Sequence, residues 1–261
     1  MNTPLFRSLL VVALFSLTAC GGGGGGGNGG ACGSIQRIAG GDSCGSGAAN
    51  IAVIVTDFQS GEPSQCTGTY ISRTSVLTAA HCFRRPVRAI AVVSENNFRE
   101  GVQIIGHPLY NGSVDSPFDM AIVKVDTPLN GGPVPLQLST TPAVGAEVVA
   151  YGYGLDQNYQ GFLERIGAGD TPLKATFTTF VGFDQGTSVI ISTGEGSTCA
   201  GDSGGPVLSQ NLAGDYGIIG ITRAGPNGCN AATGRPSYLS STQTNGAIDF
   251  ILRNAPDAAV N

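Results

Sequence analysis

Short apolar runs separated by turn-forming residues recur along the chain from Ile38 onward. Runs of three to five residues rich in valine and isoleucine, bounded by glycine, proline, serine and asparagine, are typical of β-strands. The pattern predicts two sets of six strands. The first set is residues 52–55, 69–71, 76–78, 90–93, 102–105 and 121–125, and the second is residues 147–151, 174–177, 188–191, 206–208, 217–221 and 237–239.

Two further segments complete the predicted fold. Residues 130–142 are rich in proline and glycine and are expected to cross from one set of strands to the other. Residues 247–252 have the spacing of a closing amphipathic helix. The prediction is an all-β domain of two antiparallel six-stranded barrels, about 38–138 and about 139–244, followed by a short C-terminal helix at about 245–254.

Composition agrees with an all-β domain. The 261 residues include 41 glycines, 41% hydrophobic residues and only 12% charged residues, which is the balance of a protein with many turns. The net charge is −5 and no basic cluster is present, so nucleic acid is not an expected partner.

The first nineteen residues have the pattern of an export signal. Residues 9–17 are apolar but span only about 14 Å as a helix, too short to cross a bilayer. The segment LTAC at residues 17–20 resembles the bacterial lipobox, whose cysteine is lipidated before the signal is cut. That resemblance implies a lipoprotein anchored to a membrane through Cys20, in the periplasm or on the cell surface. An ordinary cleavage site nearby is the alternative.

A polyglycine tether follows Cys20. Residues 21–30 contain nine glycines, which cannot bury apolar surface, so the segment is predicted to act as a flexible linker. Ten such residues span roughly 16–19 Å, enough to hold a domain away from a membrane. Residues 20–37 are therefore expected to lie outside the folded domain.

Cysteine usage is consistent with export. Seven cysteines leave one unpaired in a compartment where disulfides form. If Cys20 carries lipid, six cysteines remain for three bridges, with fifteen possible pairings.

One serine lies on a glycine-flanked turn in the run CAGDSGGP at residues 199–206. A serine needs a neighbouring base to become a nucleophile. The chain has two histidines, His81 in VLTAAHC at residues 76–82 and His107 in HPLYN at residues 107–111. Both precede Ser203, which argues against an α/β-hydrolase reading of GDSGG, because that fold places its histidine after the serine.

An acid lies between the histidine and the serine, in FDMAIVKV at residues 118–125. The order His81, Asp119, Ser203 and the three surrounding segments resemble the trypsin/chymotrypsin family of serine proteases. The resemblance extends from about Ile38 to Leu252. It includes HPLYN, whose His107 matches a surface or packing residue, and YGYG at residues 151–154, which resembles a G-W-G element.

The resemblance implies a serine endopeptidase acting on proteins or peptides. Ser203 would be the nucleophile, His81 the general base and acid, and Asp119 the group that orients His81. The N–H groups of Gly201 and Ser203 would form the oxyanion hole. No cofactor is implied, and the sequence has neither H-E-x-x-H nor C-x-x-C to indicate a metal site.

The same resemblance implies the disulfides. Cys66 would pair with Cys82 and Cys199 with Cys229, after which Cys32 and Cys44 remain for the third bridge. A different pairing, or one unpaired cysteine, stays open.

Substrate selection is expected to depend on Ser197, Gly225 and Ser237, which match the base and walls of the primary pocket, with Thr198 adding polarity. A neutral pocket suits aromatic or larger aliphatic side chains and disfavours lysine or arginine. Arg223 falls where the family has a serine, unless a shift of one residue places Thr222 there. An arginine at that point would compete for Asp119, so a catalytically silent protein-binding relative is the alternative function.

The segment RIAGG at residues 37–41 resembles the family's activation site. Cutting after Arg37, by an external protease, would expose the amine of Ile38 to pair with Asp202. The alternative is that Arg37 and Ile38 merely begin a strand.

Overall fold

The computed structural model describes residues 50–94, 97–113, 115–129, 132–155, 173–184, 187–192, 197–225 and 236–261. Side chains are described throughout these ranges except at 97, 183–184 and 187–192. Within this part of the chain, no helix is both long and apolar enough to cross a membrane.

Six antiparallel strands close the first barrel in the order β1-β2-β3-β6-β5-β4. The strands are β1 (Ile51–Phe58), β2 (Pro63–Tyr70), β3 (Ser75–Thr78), β4 (Val87–Ser94), β5 (Asn97–Gly106) and β6 (Ala121–Val125).

Six more antiparallel strands close the second barrel in the order β10-β11-β12-β9-β8-β7. They are β7 (Glu147–Gly152), β8 (Lys174–Asp184), β9 (Thr187–Ser192), β10 (Pro206–Gln210), β11 (Tyr216–Ala224) and β12 (Pro236–Ser241). All twelve predicted strands lie within or overlap these elements, and the predicted fold class is confirmed.

The strands are apolar on both faces because each barrel has an interior and also packs against its neighbour. In β1, Ala52 and Ile54 belong to the interior cluster of the first barrel, whereas Ile51 and Val53 belong to a cluster shared with the second barrel. Alternate residues of a strand point to opposite faces, which explains this division. The near-continuous apolar runs of the sequence follow directly from it.

Two short helical elements connect and close the barrels. A single turn of 3₁₀ helix, Ala80–Phe83, follows β3. The predicted C-terminal helix is α1 (Asn245–Asn254), in which the Thr244 side chain accepts a hydrogen bond from the Ala247 N–H as an N-cap. Its buried residues Phe250 and Ile251 pack against the cluster between the barrels.

Candidate active site

His81 and Asp119 are brought together at one edge of the first barrel. His81 lies on the 3₁₀ turn after β3, and Asp119 immediately precedes β6, the strand that pairs with β3. The His81 Nδ1–H donates to Asp119 Oδ2 at 2.6 Å, and the His81 backbone N–H donates to Oδ1 at 2.7 Å. Because Asp119 is fully buried and holds Nδ1, the tautomer leaves Nε2 as the nitrogen able to accept a proton.

A disulfide fixes the base of this loop. Cys66 in β2 and Cys82 beside His81 are bonded, as predicted. Their sulfurs and a ring nitrogen of His81 lie within 4.8 Å of one another. Two sulfurs joined to each other cannot bind a metal as thiolates, so this group serves to position His81.

Ser203 lies on a turn whose carbonyl groups are all engaged. The carbonyl oxygens of residues 199–203 all accept hydrogen bonds, three from other parts of the chain and two from N–H groups of the turn itself. Cys199 O accepts from Asp202 N, Ala200 O from Leu155 N, and Gly201 O from Thr67 Oγ1. Asp202 O accepts from Gly205 N and Ser203 O from Thr67 N, and all five distances are 2.8–3.1 Å. Carbonyl and N–H of one trans peptide point in opposite directions. Holding the carbonyls of Ala200 and Asp202 therefore aims the N–H groups of Gly201 and Ser203.

Those two N–H groups donate to no residue that the structure describes. Gly201 and Ser203 line one cavity together with His81. Two aimed N–H donors beside a serine and a histidine are an arrangement that can bind an oxygen carrying negative charge. Gly201 has a φ of +93°, a backbone conformation that favours glycine.

Asp202 points away from this cavity into a cradle of backbone. Its side chain is fully buried, with Oδ1 accepting from Gly154 N at 2.8 Å and Oδ2 from Cys199 N at 2.7 Å. A Cβ at Gly152 would lie 2.0 Å from Oδ1, and one at Gly154 would lie 2.5 Å from Cγ. The two glycines of the YGYG segment are therefore required by the Asp202 carboxyl group.

Burial raises the pKa of Asp202 to about 6, while the two backbone N–H groups and Lys174 act to lower the pKa. Lys174 is buried at the start of β8, and its Nζ donates to Gly154 O at 3.2 Å. The lysine is thus a cation in the same cradle as the carboxyl group of Asp202. Nothing in the sequence pattern singled it out.

Three of the four predicted pocket residues are in contact. Thr198 Oγ1 and Ser237 Oγ are 2.7 Å apart and buried. A Cβ at Gly225 would lie 2.4 Å from Thr198 O, so only glycine fits there. Ser197 is buried beside Thr198 in sequence. The described wall of this pocket therefore presents hydroxyl groups and backbone.

Thr222, rather than Arg223, pairs with the turn that carries Ser203. Gly204 N donates to Thr222 O at 2.7 Å and Thr222 N donates to Gly205 O at 2.8 Å. The Arg223 guanidinium lies over the Tyr238 ring at 5.5 Å and 3.7 Å from Asp115 Oδ1. Both Asp119 oxygens accept hydrogen bonds from His81. Burial lowers the pKa of Arg223, while the charges of Asp115 and Asp119 act to raise it, so Arg223 is electrostatically coupled to the carboxylate that holds His81.

His107 is a packing residue. Its ring stacks on Phe118 at 4.7 Å and lies beside Phe250. Nδ1 accepts from Leu109 N, and Nε2–H donates to Gly246 O. Burial lowers the pKa of His107, and neither nitrogen is left to take a proton from a serine.

The remaining predicted residues lie outside the described part of the chain. These are Cys20, Cys32, Arg37, Ile38, Cys44 and Cys229. Cys199 is disulfide-bonded, and its expected partner is Cys229.

The site also depends on residues that sequence reasoning missed. Thr67 donates from its N–H to Ser203 O and from Oγ1 to Gly201 O, and its Oγ1 accepts from Tyr153 N. Its place directly after Cys66 was the only available signal.

Closed twin barrels with a histidine–aspartate pair on one and a glycine-flanked serine on the other define a chymotrypsin-like hydrolase fold. The Trypsin family model matches residues 38–248, so the chain belongs to the trypsin family.

Known relatives agree with this assignment. Brachyurin from Leptuca pugilator is 31% identical over 182 residues, covering 64% of this chain and 78% of brachyurin. Trypsin from Sus scrofa is 29% identical over 190 residues, covering 66% and 80%. The match to putative trypsin-6 from Homo sapiens, 31% identical, covers 55% of this chain and 64% of that protein.

The solved structure of HL collagenase has the same fold. It superposes with a TM-score of 0.65 at 19% identity, covering 85% of this chain and 99% of the collagenase chain.

Proposed function

We propose that the protein is a serine endopeptidase that works through Ser203, His81 and Asp119. Family membership supports the reaction class. The observation that carries the residue assignment is one cavity lined by His81, Ser203 and Gly201. The N–H groups of Gly201 and Ser203 are aimed by the turn and donate to no acceptor in the described part of the chain.

The chemistry follows from the protonation states. Ser203 Oγ attacks the substrate carbonyl carbon while its proton passes to His81 Nε2. The resulting oxyanion accepts hydrogen bonds from Gly201 N–H and Ser203 N–H, each worth about 3–4 kcal/mol in the transition state. The C–N bond then breaks, the imidazolium gives its proton to the leaving nitrogen, and water removes the acyl group by the same steps. Asp119 stabilises the imidazolium.

The direct experiment is labelling with a fluorophosphonate, with peptide and ester hydrolysis measured in parallel. Wild-type protein that has been cut after Arg37 with trypsin, which is then removed, should be labelled at Ser203. Ser203→Ala treated in the same way should lose labelling and at least about 10³-fold in kcat, with an unchanged unfolding midpoint. A cut and folded wild-type protein that stays unlabelled would instead support the silent binding relative.

For selectivity, we propose that the neutral wall formed by Thr198, Ser237 and Gly225 favours aromatic or larger aliphatic residues before the cut. The described wall offers no carboxylate to pair with lysine or arginine. Peptides ending in Phe, Tyr or Leu should be cut faster than matched Arg peptides. A clear preference for Arg would contradict this pocket assignment.

For regulation, we propose that the protein is a zymogen cut after Arg37 by an external protease. The support is the RIAGG segment and the buried Asp202, whose cradle would gain a second cation from the Ile38 amine, charged at neutral pH with a pKa of about 7.7–8. Trypsin treatment should raise ester hydrolysis of wild type but not of Arg37→Gln, with N-terminal sequencing to locate the cut. Equal activity of uncut Arg37→Gln and cut wild type would refute activation. A Cys32–Cys44 bridge would keep the cut domain on its tether.

For location, we propose export and anchoring of a bacterial lipoprotein through acyl chains on Cys20. The support is LTAC at residues 17–20 and the polyglycine segment that follows. Two or three acyl chains hold a protein stably on a membrane. Cys20→Ser should therefore move the protein to the soluble fraction, and mass spectrometry showing an unmodified Cys20 would contradict the anchor.

A further inference from the structure

The cavity that holds His81 and Ser203 continues well beyond them. It has a volume of about 710 Å³. Apart from His81, Ala200, Gly201 and Ser203, it is lined by the Cys66–Cys82 disulfide, Phe58, Glu62, Pro63, Ser64, Gln65, Arg84 and Arg85. None of the residues of the Thr198–Ser237 pocket lines it. The cavity is therefore a separate compartment on the far side of the nucleophile.

The proton transfer decides which part of a substrate this compartment holds. The oxyanion donors Gly201 and Ser203 fix the carbonyl, and His81 must deliver its proton to the leaving nitrogen. The residues after the cut therefore leave from the nucleophile on the side of His81. Cys82, Arg84 and Arg85 directly follow His81 along the chain, and all of them line the cavity.

The compartment carries two guanidinium groups in a protein whose net charge is −5. Arg84 Nε donates to His81 O at 3.4 Å, which keeps that side chain beside the catalytic loop. Arg85 lies over the Phe58 ring at 5.5 Å and pairs with Glu62 at 2.9 Å. The side chains of Arg85 and Glu62 are 60% and 74% exposed, and such a pair is weak. A substrate carboxylate can therefore displace Glu62.

We propose that this compartment binds the substrate segment after the cut, and that Arg84 and Arg85 select protein segments with aspartate or glutamate there. Guanidinium groups bind carboxylates with two parallel hydrogen bonds, which favours an acid over a neutral residue of the same length. The inference rests on the proposed endopeptidase function. It adds the chemical class of substrate, namely acidic protein segments on the leaving side.

The test uses internally quenched peptides that share one sequence before the cut. They carry Glu, Gln or Lys at the first three positions after it, one position at a time. Wild type should show kcat/KM about 2- to 5-fold higher for Glu than for Gln at its best position, with Lys lowest. The preference should shrink as ionic strength rises, because exposed charges are screened.

Substitutions of Arg84 and Arg85 test whether these two residues cause the preference for acidic peptides. Arg84→Gln and Arg85→Gln should each reduce the Glu-to-Gln ratio, and Arg84→Glu/Arg85→Glu should invert it in favour of Lys. Arg84→Lys should retain part of it. Arg88→Gln is the matched control, because Arg88 is exposed and pairs with Asp57 outside the cavity, so its ratio should equal that of wild type. Circular dichroism confirms that each variant is folded.

The failures are distinguishable. If wild type hydrolyses a small activated ester but cuts the Glu, Gln and Lys peptides equally, the acidic selection is wrong and the endopeptidase proposal stands. The acidic selection is equally wrong if the ratio changes in Arg88→Gln as much as in the Arg84 and Arg85 variants. If wild type that has been cut after Arg37 hydrolyses neither ester nor peptides, the proposed function itself fails, and this inference fails with it.

Discussion

At the scale of single residues, Asp202 has an unusual role, because its carboxyl group is fully buried behind the nucleophile. Its pKa is raised from 3.8 to about 6, chiefly because burial disfavours the charged form. The folded state therefore holds a proton more tightly than the unfolded chain does. At 1.36 kcal/mol per pKa unit, ionising Asp202 above pH 6 lowers the free energy of unfolding by about 3 kcal/mol.

This dependence of stability on pH is opposite in sign to that of a carboxylate whose pKa is lowered by folding. Between about pH 4 and pH 6, the unfolded chain has lost the Asp202 proton while the folded protein still holds it. The contribution of Asp202 to the free energy of unfolding is therefore full below pH 4 and lost as pH rises through about 6. Asp202→Asn should gain stability relative to wild type as pH rises from 4 to 7, by up to about 3 kcal/mol.

Urea unfolding of wild type and Asp202→Asn at several pH values measures how the difference in their free energies of unfolding changes with pH. Any cost of the mutation that does not depend on pH cancels from this change. Asp215→Asn, at an exposed surface turn, controls for the loss of a carboxylate. Lys174→Met should enlarge the effect, because Lys174 lowers the pKa of Asp202. A flat difference between wild type and Asp202→Asn would show that Asp202 is not the buried acid described here.

At the scale of elements, the tight turn at residues 199–205 has to fit between β2 and β11. Gly204 has a φ of +83°, and its N–H donates to Thr222 O. A Cβ on Gly204 would lie 2.2 Å from Thr78 Oγ1 and 2.4 Å from Thr67 O. The second of these neighbours is backbone, which cannot move aside cheaply.

Gly204→Ala should therefore lower the free energy of unfolding by at least about 3 kcal/mol, combining left-handed strain with the backbone clash. Gly214→Ala is a matched control, since Gly214 has a φ of +91° but nothing within 4 Å of its Cβ position. That variant should lose only about 1–2 kcal/mol. Equal losses in urea unfolding would mean that the clash at Gly204 is relieved by local movement.

The sequence predicted elements better than the contacts between them. The strands and α1 were predictable because residue patterning directly reflects two-sided burial, as in β1. His81, Asp119 and Ser203 could be singled out because each lies within a short motif, and their catalytic roles stay predictions. Thr67 and Lys174 were not found, because their contacts with residues 201–203 and Gly154 arise from barrel closure, which brings distant parts of the chain together. The sequence also could not decide whether Thr222 or Arg223 lies beside residues 204 and 205. Only the backbone pairing of β11 with this turn fixes that position, and it places Thr222 there.

At the scale of the whole molecule, the candidate site is divided between two bodies. His81 and Asp119 belong to the first barrel and Ser203 to the second, so their alignment depends on how the barrels are joined. The C-terminal segment is one such joint. Ala259 N donates to Ile71 O beside the first barrel, and Leu136 N, in the connection that pairs with β11, donates to Ala259 O.

Deleting residues 259–261 should therefore weaken both stability and catalysis. The deletion removes four backbone hydrogen bonds, the two just named and two more between Asn261 and residues 136 and 138, at 2.8–3.2 Å. At about 0.5–1.5 kcal/mol each, the loss should be about 2–6 kcal/mol in urea unfolding. Because this segment bridges the two halves of the site, kcat/KM should also fall at temperatures where the protein is still folded.

The control is Val260→Ser, which changes a half-exposed side chain and leaves the backbone in place, so it should cost under about 0.5 kcal/mol. Measuring kcat/KM and unfolding on the same samples separates misalignment from simple instability. If the truncated protein loses stability but keeps wild-type kcat/KM well below its unfolding midpoint, the barrels are aligned without this segment. In that case the cluster between them, which includes Val53, Leu77, Val149 and Leu208, is sufficient to hold His81 against Ser203.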